Sequence, residues 1–154
     1  MRKLRRCLLL LLLLLGGGVL SAEAASAKLI KVLPQYLDRE GRHAVSPSLF
    51  DRDAYQAQLR RRPEERAGVR FAIQWKAPHS ARLKLKVELR GALGQEPTTA
   101  LLEQPVEGRH FFSHWSAPKL AGNDFKKFGD LIAWRVSLWE GDKQLAELKS
   151  FLWQ

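Results

Sequence analysis

The sequence predicts a mainly β protein, a single antiparallel sandwich of about seven strands with one inserted helix. Three observations support this fold class. Several segments alternate apolar and polar residues with period two, which is the pattern of strands that bury one face. Clusters of turn-forming residues separate these segments at short intervals, as in all-β sandwiches. One segment near the start of the chain lacks the alternation and instead carries the signals of a helix.

The strands are predicted from the alternating segments. Alternation is strongest over residues 69–75, 83–89 and 132–138, in which apolar and polar side chains follow one another without interruption. Weaker patterns predict four further strands, over residues 28–33, 98–105, 109–115 and 144–153. Seven short strands of this kind favour two packed antiparallel sheets.

The closing hairpin has two possible registers, and only one puts apolar residues on the same face. An even loop pairs Leu138 with Leu145, and it mixes core residues with charged ones. A three-residue turn over 141–143 is therefore predicted, because a shift of one residue exchanges the two faces of a strand. The pairs in this register are Leu138 with Ala146, Val136 with Leu148, Trp134 with Ser150 and Ile132 with Leu152.

The helix is predicted over about residues 47–61, between the first and second strands. Ser46 suits the N-cap and Pro47 the first helical position, and acidic residues near the start with arginines near the end complement the helix dipole. The helix is expected to end before Pro63. Its apolar stripe is narrow and begins at Phe50, so we expect it to lie across one sheet or one end of the sandwich.

The N-terminal segment, residues 1–27, has the pattern of a cleavable secretory signal peptide. Basic residues precede a leucine run, and small residues follow with Ala-x-Ala motifs that predict cleavage after Ala24 or Ala27. The apolar run is shorter than the about 20 residues that cross a bilayer, so no transmembrane span is expected in the mature chain. Residues 28–154 then form one exported domain, and Cys7, the single cysteine, leaves with the signal, so no disulfide is expected.

The charge is strongly basic. The chain has 26 Lys and Arg against 16 Asp and Glu, a net charge of +10, and loss of four basic residues and Glu23 with the signal leaves 22 against 15, or +7. This favours an anionic partner, namely an envelope protein, a glycan or an anionic polymer, while export argues against nucleic acid. The basic run Arg60, Arg61 and Arg62 is a candidate polyanion site.

Few residues suggest chemistry. His110 and His114 are four apart in a predicted strand, so they share a face and are candidate metal ligands, but two imidazoles without a third ligand rarely hold a metal. Motifs for hydrolases, phosphate loops and zinc proteases are absent, and no cofactor is expected. The sequence thus predicts an exported, non-enzymatic binding or structural module in the periplasm or outside the cell. The alternative is a small secreted hydrolase or metal-binding protein with a site assembled around these two histidines.

Aromatic residues provide the candidate binding face. In the predicted register Trp139, Phe151 and Trp153 share the outer face of the closing hairpin with Arg135. An exposed row of aromatics is typical of surfaces that bind sugars or proteins. The alternative is that the helix, or the first strand and its following loop, covers this face.

The pattern of alternating strands over residues 28–153 resembles the immunoglobulin-like and fibronectin-type-III-like sandwiches. The chain lacks the cysteine pair of true immunoglobulin domains, with Phe71 or Ile73 and Trp134 or Val136 where such cysteines would stand. The helix between the first two strands is a second difference. The resemblance implies a fold, and no functional residue follows from it.

Overall fold

The fold is described from a computed structural model that covers residues 27–78, 80–108 and 112–154. The predicted signal peptide with its cleavage motif at Ala24, Cys7 and His110 lie outside the described residues. No helix in the described ranges is long and apolar enough to cross a membrane.

The described residues form two four-stranded antiparallel sheets, which confirms the prediction of a mainly β protein with two sheets. Sheet A has the order β1–β2–β5, and β6 also pairs with β2. Sheet B has the order β4–β3–β7–β8. The strands are β1 (Lys28–Leu37), β2 (Gly68–Lys76), β3 (Ser80–Leu93), β4 (Glu96–Gly108), β5 (His114–Ser116), β6 (Lys119–Ala121), β7 (Asp130–Glu140) and β8 (Lys143–Lys149).

The core lies between the sheets and follows the alternation read from the sequence. The inward residues of β2, β3 and β7 are almost fully buried: Val69, Phe71, Ile73, Trp75, Leu83, Leu85, Val87, Leu89, Val136 and Leu138. A helix that the sequence did not predict, α2 (Gly122–Phe128), adds Phe125 and Phe128 to this core. Its first residues, Gly122, Asn123 and Asp124, are types that favour turns, and here they form the first turn of the helix.

The predicted helix is present as α1 (Leu49–Arg61), and its start differs from the prediction. Ser48 is the N-cap, because its Oγ accepts a hydrogen bond from the Asp51 N–H at 3.4 Å. The prediction that Ser46 is the cap and Pro47 the first helical residue is therefore wrong by two residues. Ser46 and Ser48 are equally good N-cap residues, and Pro47 and Leu49 each suit the first helical position, so the sequence alone does not separate the two starts.

The buried face of α1 also differs from the predicted stripe. Phe50 is 81% exposed, whereas Leu59, a weaker member of the predicted stripe, and the polar Gln56 are buried. The Gln56 carboxamide accepts a hydrogen bond from Tyr36 N–H at 2.8 Å and donates to Tyr36 O at 2.9 Å and to His43 O at 2.8 Å. A polar residue thus takes the innermost position because it satisfies the free backbone groups of β1.

The closing hairpin has the predicted register, reached by a different turn. Leu138 opposes Ala146 and Val136 opposes Leu148. The turn has two residues, with Glu140 opposite Lys143, and a bulge between Leu138 and Trp139 supplies the odd residue. The last strand ends at Lys149 and does not continue to residue 153.

The start of β7 reverses the predicted faces. The pairing of β7 with β3 shifts between Arg90 and Gly91, so Ile132 is bulged, and it is exposed. Leu131 packs against the core in its place. The strand predicted over 109–115 is described only as β5, which begins at His114.

Candidate functional site

The candidate aromatic face does not form one exposed row. Trp153 is only 8% exposed, because it lies under two arginines of sheet B. The Arg90 guanidinium is 4.1 Å from the centroid of the Trp153 ring, and the Arg135 guanidinium is 5.0 Å from it. Arg135 also donates two hydrogen bonds of 2.7 Å to Glu88, which lowers the pKa of that carboxyl group. Two arginines of sheet B thus contribute to the cover of Trp153.

The other two aromatics have different surroundings. Trp139 is half-buried, its Nε1–H donates to Ser137 Oγ at 2.7 Å, and the Lys86 ammonium lies 4.6 Å from its ring centroid. Phe151 follows β8 and is 94% exposed. The structure thus separates the predicted binding residues into one buried, one half-buried and one exposed ring.

The candidate polyanion residues stand at the C-terminal end of α1. Arg62 forms an ion pair of 2.8 Å with Glu65, whereas Arg60 and Arg61 are exposed. The Arg66 guanidinium donates hydrogen bonds to the carbonyl oxygens of Leu59 and Arg60 and so caps the helix. At this end of the helix, Arg62 and Arg66 therefore bind groups of the protein itself.

His114 packs against the core. Its ring centroid lies 4.8 Å from that of the buried Trp75, with the two planes tilted by 30°. His110, its predicted partner, is outside the described residues. Among the residues that are described, no group of three or more His, Cys, Asp or Glu side chains has the arrangement of a metal site.

A pocket on the outer face of sheet A was not predicted. It has a volume of about 290 Å³ and lies beside α1. We call it the arginine pocket. It is lined by Leu33, Gln35, Arg52, Arg70, Ala72, Trp115, Ser116 and Ala117.

The pairing of the sheet A strands brings the lining residues together. Gln35 opposes Arg70 and Leu33 opposes Ala72 across β1 and β2. These residues alternate with the residues that face the core, so their side chains point away from the core. Trp115 in β5 borders the pocket on the other side of β2 and is 56% exposed. The pocket therefore has an apolar floor, an aromatic wall and a polar end.

Two arginines dominate the polar end. Burial lowers the pKa of Arg70, and the charge of the nearby Arg52 lowers it further. Arg70 Nε–H donates to Gln35 Oε1 at 2.8 Å, and within the described part of the chain Arg70 forms no ion pair. The closest carboxylate to Arg52 is that of the exposed Asp53, at 3.7 Å.

The positive potential extends beyond the lining. Burial lowers the pKa of His43, and the charges of Arg70 and Arg52 lower it further, so its imidazole favours the neutral form. The Gln35 carboxamide oxygen is engaged by Arg70, and its Nε2 has no hydrogen-bond partner among the residues that the structure describes. The polar end of the pocket thus offers hydrogen-bond donors, and within the described residues the only carboxylate paired with them is Asp53, at 3.7 Å from Arg52.

This arrangement suits a ligand that has an anionic group and an apolar or ring-shaped body. Guanidinium groups bind carboxylate, phosphate and sulfate through paired N–H donors, and an indole face packs on rings. Arg70 and Trp115 were readable in the sequence only as outward positions of two strands. The position of Arg52 depends on where α1 lies, which no local pattern specifies.

Comparison with protein-family models, with curated proteins and with solved structures finds no match for this chain.

Proposed function

We propose that this chain is an exported, non-enzymatic binding module of the immunoglobulin-like or fibronectin-type-III-like kind, acting in the cell envelope or outside the cell. The strand order supports the fold assignment. With β5 and β6 counted as one interrupted strand, β3, β7 and β8 correspond to the third, sixth and seventh strands, which share a sheet in such domains. The signal-like N-terminal sequence supports export.

The module binds an anionic ligand in the arginine pocket. The observation that carries this proposal is the Arg70 guanidinium, which is partly buried, lies near Arg52 and has no carboxylate partner in the described residues. A buried charge is costly unless it is paired. An anion from a ligand supplies the missing partner.

The remaining lining residues define how the ligand is held. Arg52, Arg70 and Gln35 Nε2 donate to the anion, while its apolar body contacts Trp115 and the floor formed by Leu33 and Ala72. None of these contacts requires a reacting group, which is why the proposal is one of binding and not of catalysis.

The test is anion-dependent thermal stabilisation, with sulfate and phosphate as probes at constant ionic strength in chloride. A ligand that binds only the native state raises the melting temperature with its concentration. We expect a saturable rise for the wild type and none for Arg70→Met. Arg39→Met, which removes an exposed arginine outside the pocket lining, is the matched control and should behave as the wild type. Equal rises in all three proteins, or no rise in any, would refute the pocket.

A further inference from the structure

The charges of the two sheets are distributed unequally. In the described structure, the strands of sheet B contain seven basic and seven acidic residues. Those of sheet A contain five basic residues and no acidic one. The five are Lys28, Lys31, Arg70, Lys76 and Lys119.

These five residues all lie on the outer face. No Lys, Arg, Asp or Glu occupies an inward position of the sheet A strands, and the pairing sets Lys28 opposite Lys76 at one end and Arg70 opposite Lys119 at the other. Lys31, opposite Gln74, lies between the two ends. Lys76 follows Arg70 by six positions in β2, which at about 3.3 Å per residue corresponds to a distance of about 20 Å.

The arginine pocket is therefore one end of a longer cationic face. A single small anion fills the pocket and leaves the charges at Lys28 and Lys76 unused, about 20 Å along the strand. A chain that carries an acidic group on successive units reaches both ends. Trp115 opposes Gln74 on β2, so its half-exposed ring lies beside the line from the pocket to Lys76.

We propose that the outer face of sheet A binds an acidic polysaccharide, with one acidic sugar in the arginine pocket and the chain extending toward Lys28 and Lys76. This inference rests on the proposed function of the pocket. A sugar ring has the apolar face that Trp115 packs against and the carboxylate or sulfate that Arg52 and Arg70 bind. Lysines along the rest of the face contact the acidic groups of the neighbouring sugars.

The test is calorimetric titration with galacturonate and with its α-linked oligomers of increasing length. For the wild type we expect affinity to rise with length until the chain spans the face. Lys76→Glu should weaken binding of the long oligomer by about tenfold, because it reverses a charge far from the pocket, and leave the monomer unchanged. Trp115→Ala should weaken both. Lys149→Glu, an equal charge reversal on the exposed edge of sheet B, should change neither by more than about twofold.

The outcomes separate this inference from the proposed function. If affinity does not depend on length, and Lys76→Glu binds the long oligomer as the wild type does, the polysaccharide face is refuted. Monomer or sulfate binding that Arg70→Met abolishes would then still support the pocket. Tighter binding to single-stranded DNA or to phosphatidylglycerol vesicles than to the long oligomer, lost in Lys76→Glu and Trp115→Ala, would also refute the polysaccharide.

Discussion

Asp38 joins β1, the following loop and α1 through one carboxylate. Its oxygens accept hydrogen bonds from Tyr55 Oη–H at 2.5 Å, from Arg42 N–H at 2.7 Å and from Arg42 Nε–H at 2.8 Å. Burial acts to raise its pKa, but the hydrogen bonds from Tyr55 and Arg42 outweigh burial and lower the pKa to about 2. The ionised form of Asp38 therefore stabilises the folded protein.

The lowered pKa predicts a loss of stability in acid. The Asp38 carboxyl titrates near 3.8 when the chain is unfolded and at about 2 when it is folded. Its contribution, about 2 kcal/mol, is complete above pH 4 and disappears as the pH falls toward 2. We expect the free energy of unfolding of the wild type to fall more steeply over this range than that of Asp38→Asn, as measured by urea denaturation. Parallel pH profiles would contradict this assignment.

Arg52 is predicted to cost stability in the absence of ligand. Its charge opposes that of the partly buried Arg70, and its own carboxylate contact, to Asp53, is long and exposed. Arg52→Met should raise the free energy of unfolding by up to about 1 kcal/mol at low salt, and less at high salt, because salt screens the repulsion. The same variant should bind sulfate more weakly. Arg39→Met serves again as the control, and a loss of stability in Arg52→Met at low salt would be inconsistent with repulsion between the two arginines.

At the scale of elements, α1 protects the edge of β1. The Gln56 carboxamide bonds both backbone groups of Tyr36, as a neighbouring strand would. Gln56→Leu should lower the free energy of unfolding by about 1 to 3 kcal/mol, because it leaves these groups unpaired. Amide exchange at Tyr36 N–H should also become faster. Gln144→Leu, at an exposed position of β8, is the control; an unchanged Tyr36 exchange rate in Gln56→Leu would exclude the edge-capping role.

Two glycines with positive φ allow the cost of backbone strain and the cost of a steric clash to be measured separately. Gly129 has φ 77° and Gly141 has φ 56°, so alanine is strained at both. A Cβ at Gly129 would collide with the carbonyl oxygen of Ala92, whereas one at Gly141 would meet nothing within 4 Å. Gly141→Ala should cost about 1 kcal/mol. Gly129→Ala should cost at least about 2 kcal/mol more, since the backbone itself must move. Similar losses in chemical denaturation would show that the close contact relaxes freely.

The strands were predictable because apolar alternation is a local property, and the bulges were not. The bulge at Ile132 lies next to the pairing of Leu131 with Gly91, where a Cβ would lie 2.5 Å from Phe128 Cζ. Helix α2 places Phe128 at this position. The local structure therefore depends on three elements, β3, β7 and α2. The hairpin register, in contrast, was predictable from its apolar pairs. That register needs one extra residue on one strand or in the turn, and either a three-residue turn or a two-residue turn with a bulge supplies it.

For the whole molecule, the site depends on how the helix joins the sheet. The alternation of inward and outward side chains along β1 and β2 is enough to place Gln35 and Arg70 on the same outer face. The contribution of Arg52 requires α1 to pack beside that face, which is achieved by the contacts of Asp38 and Gln56. Contacts between residues about 17 to 20 positions apart leave no periodic signal in the sequence. For this reason the pocket could not be predicted from the sequence, although the outward positions of Gln35 and Arg70 could.

The unequal charge of the sheets also predicts a property of the whole protein that needs no ligand. Lys119 lies on the face of sheet A, where no strand carries an acid in the described structure, whereas Lys149 lies in a sheet whose acids equal its bases. Lys119→Glu and Lys149→Glu change the net charge by the same two units. A cation exchanger contacts the most positive face of a protein first, so Lys119→Glu should elute at distinctly lower salt than Lys149→Glu. If the two variants elute together, net charge alone governs adsorption and the positive face of sheet A has no separate effect.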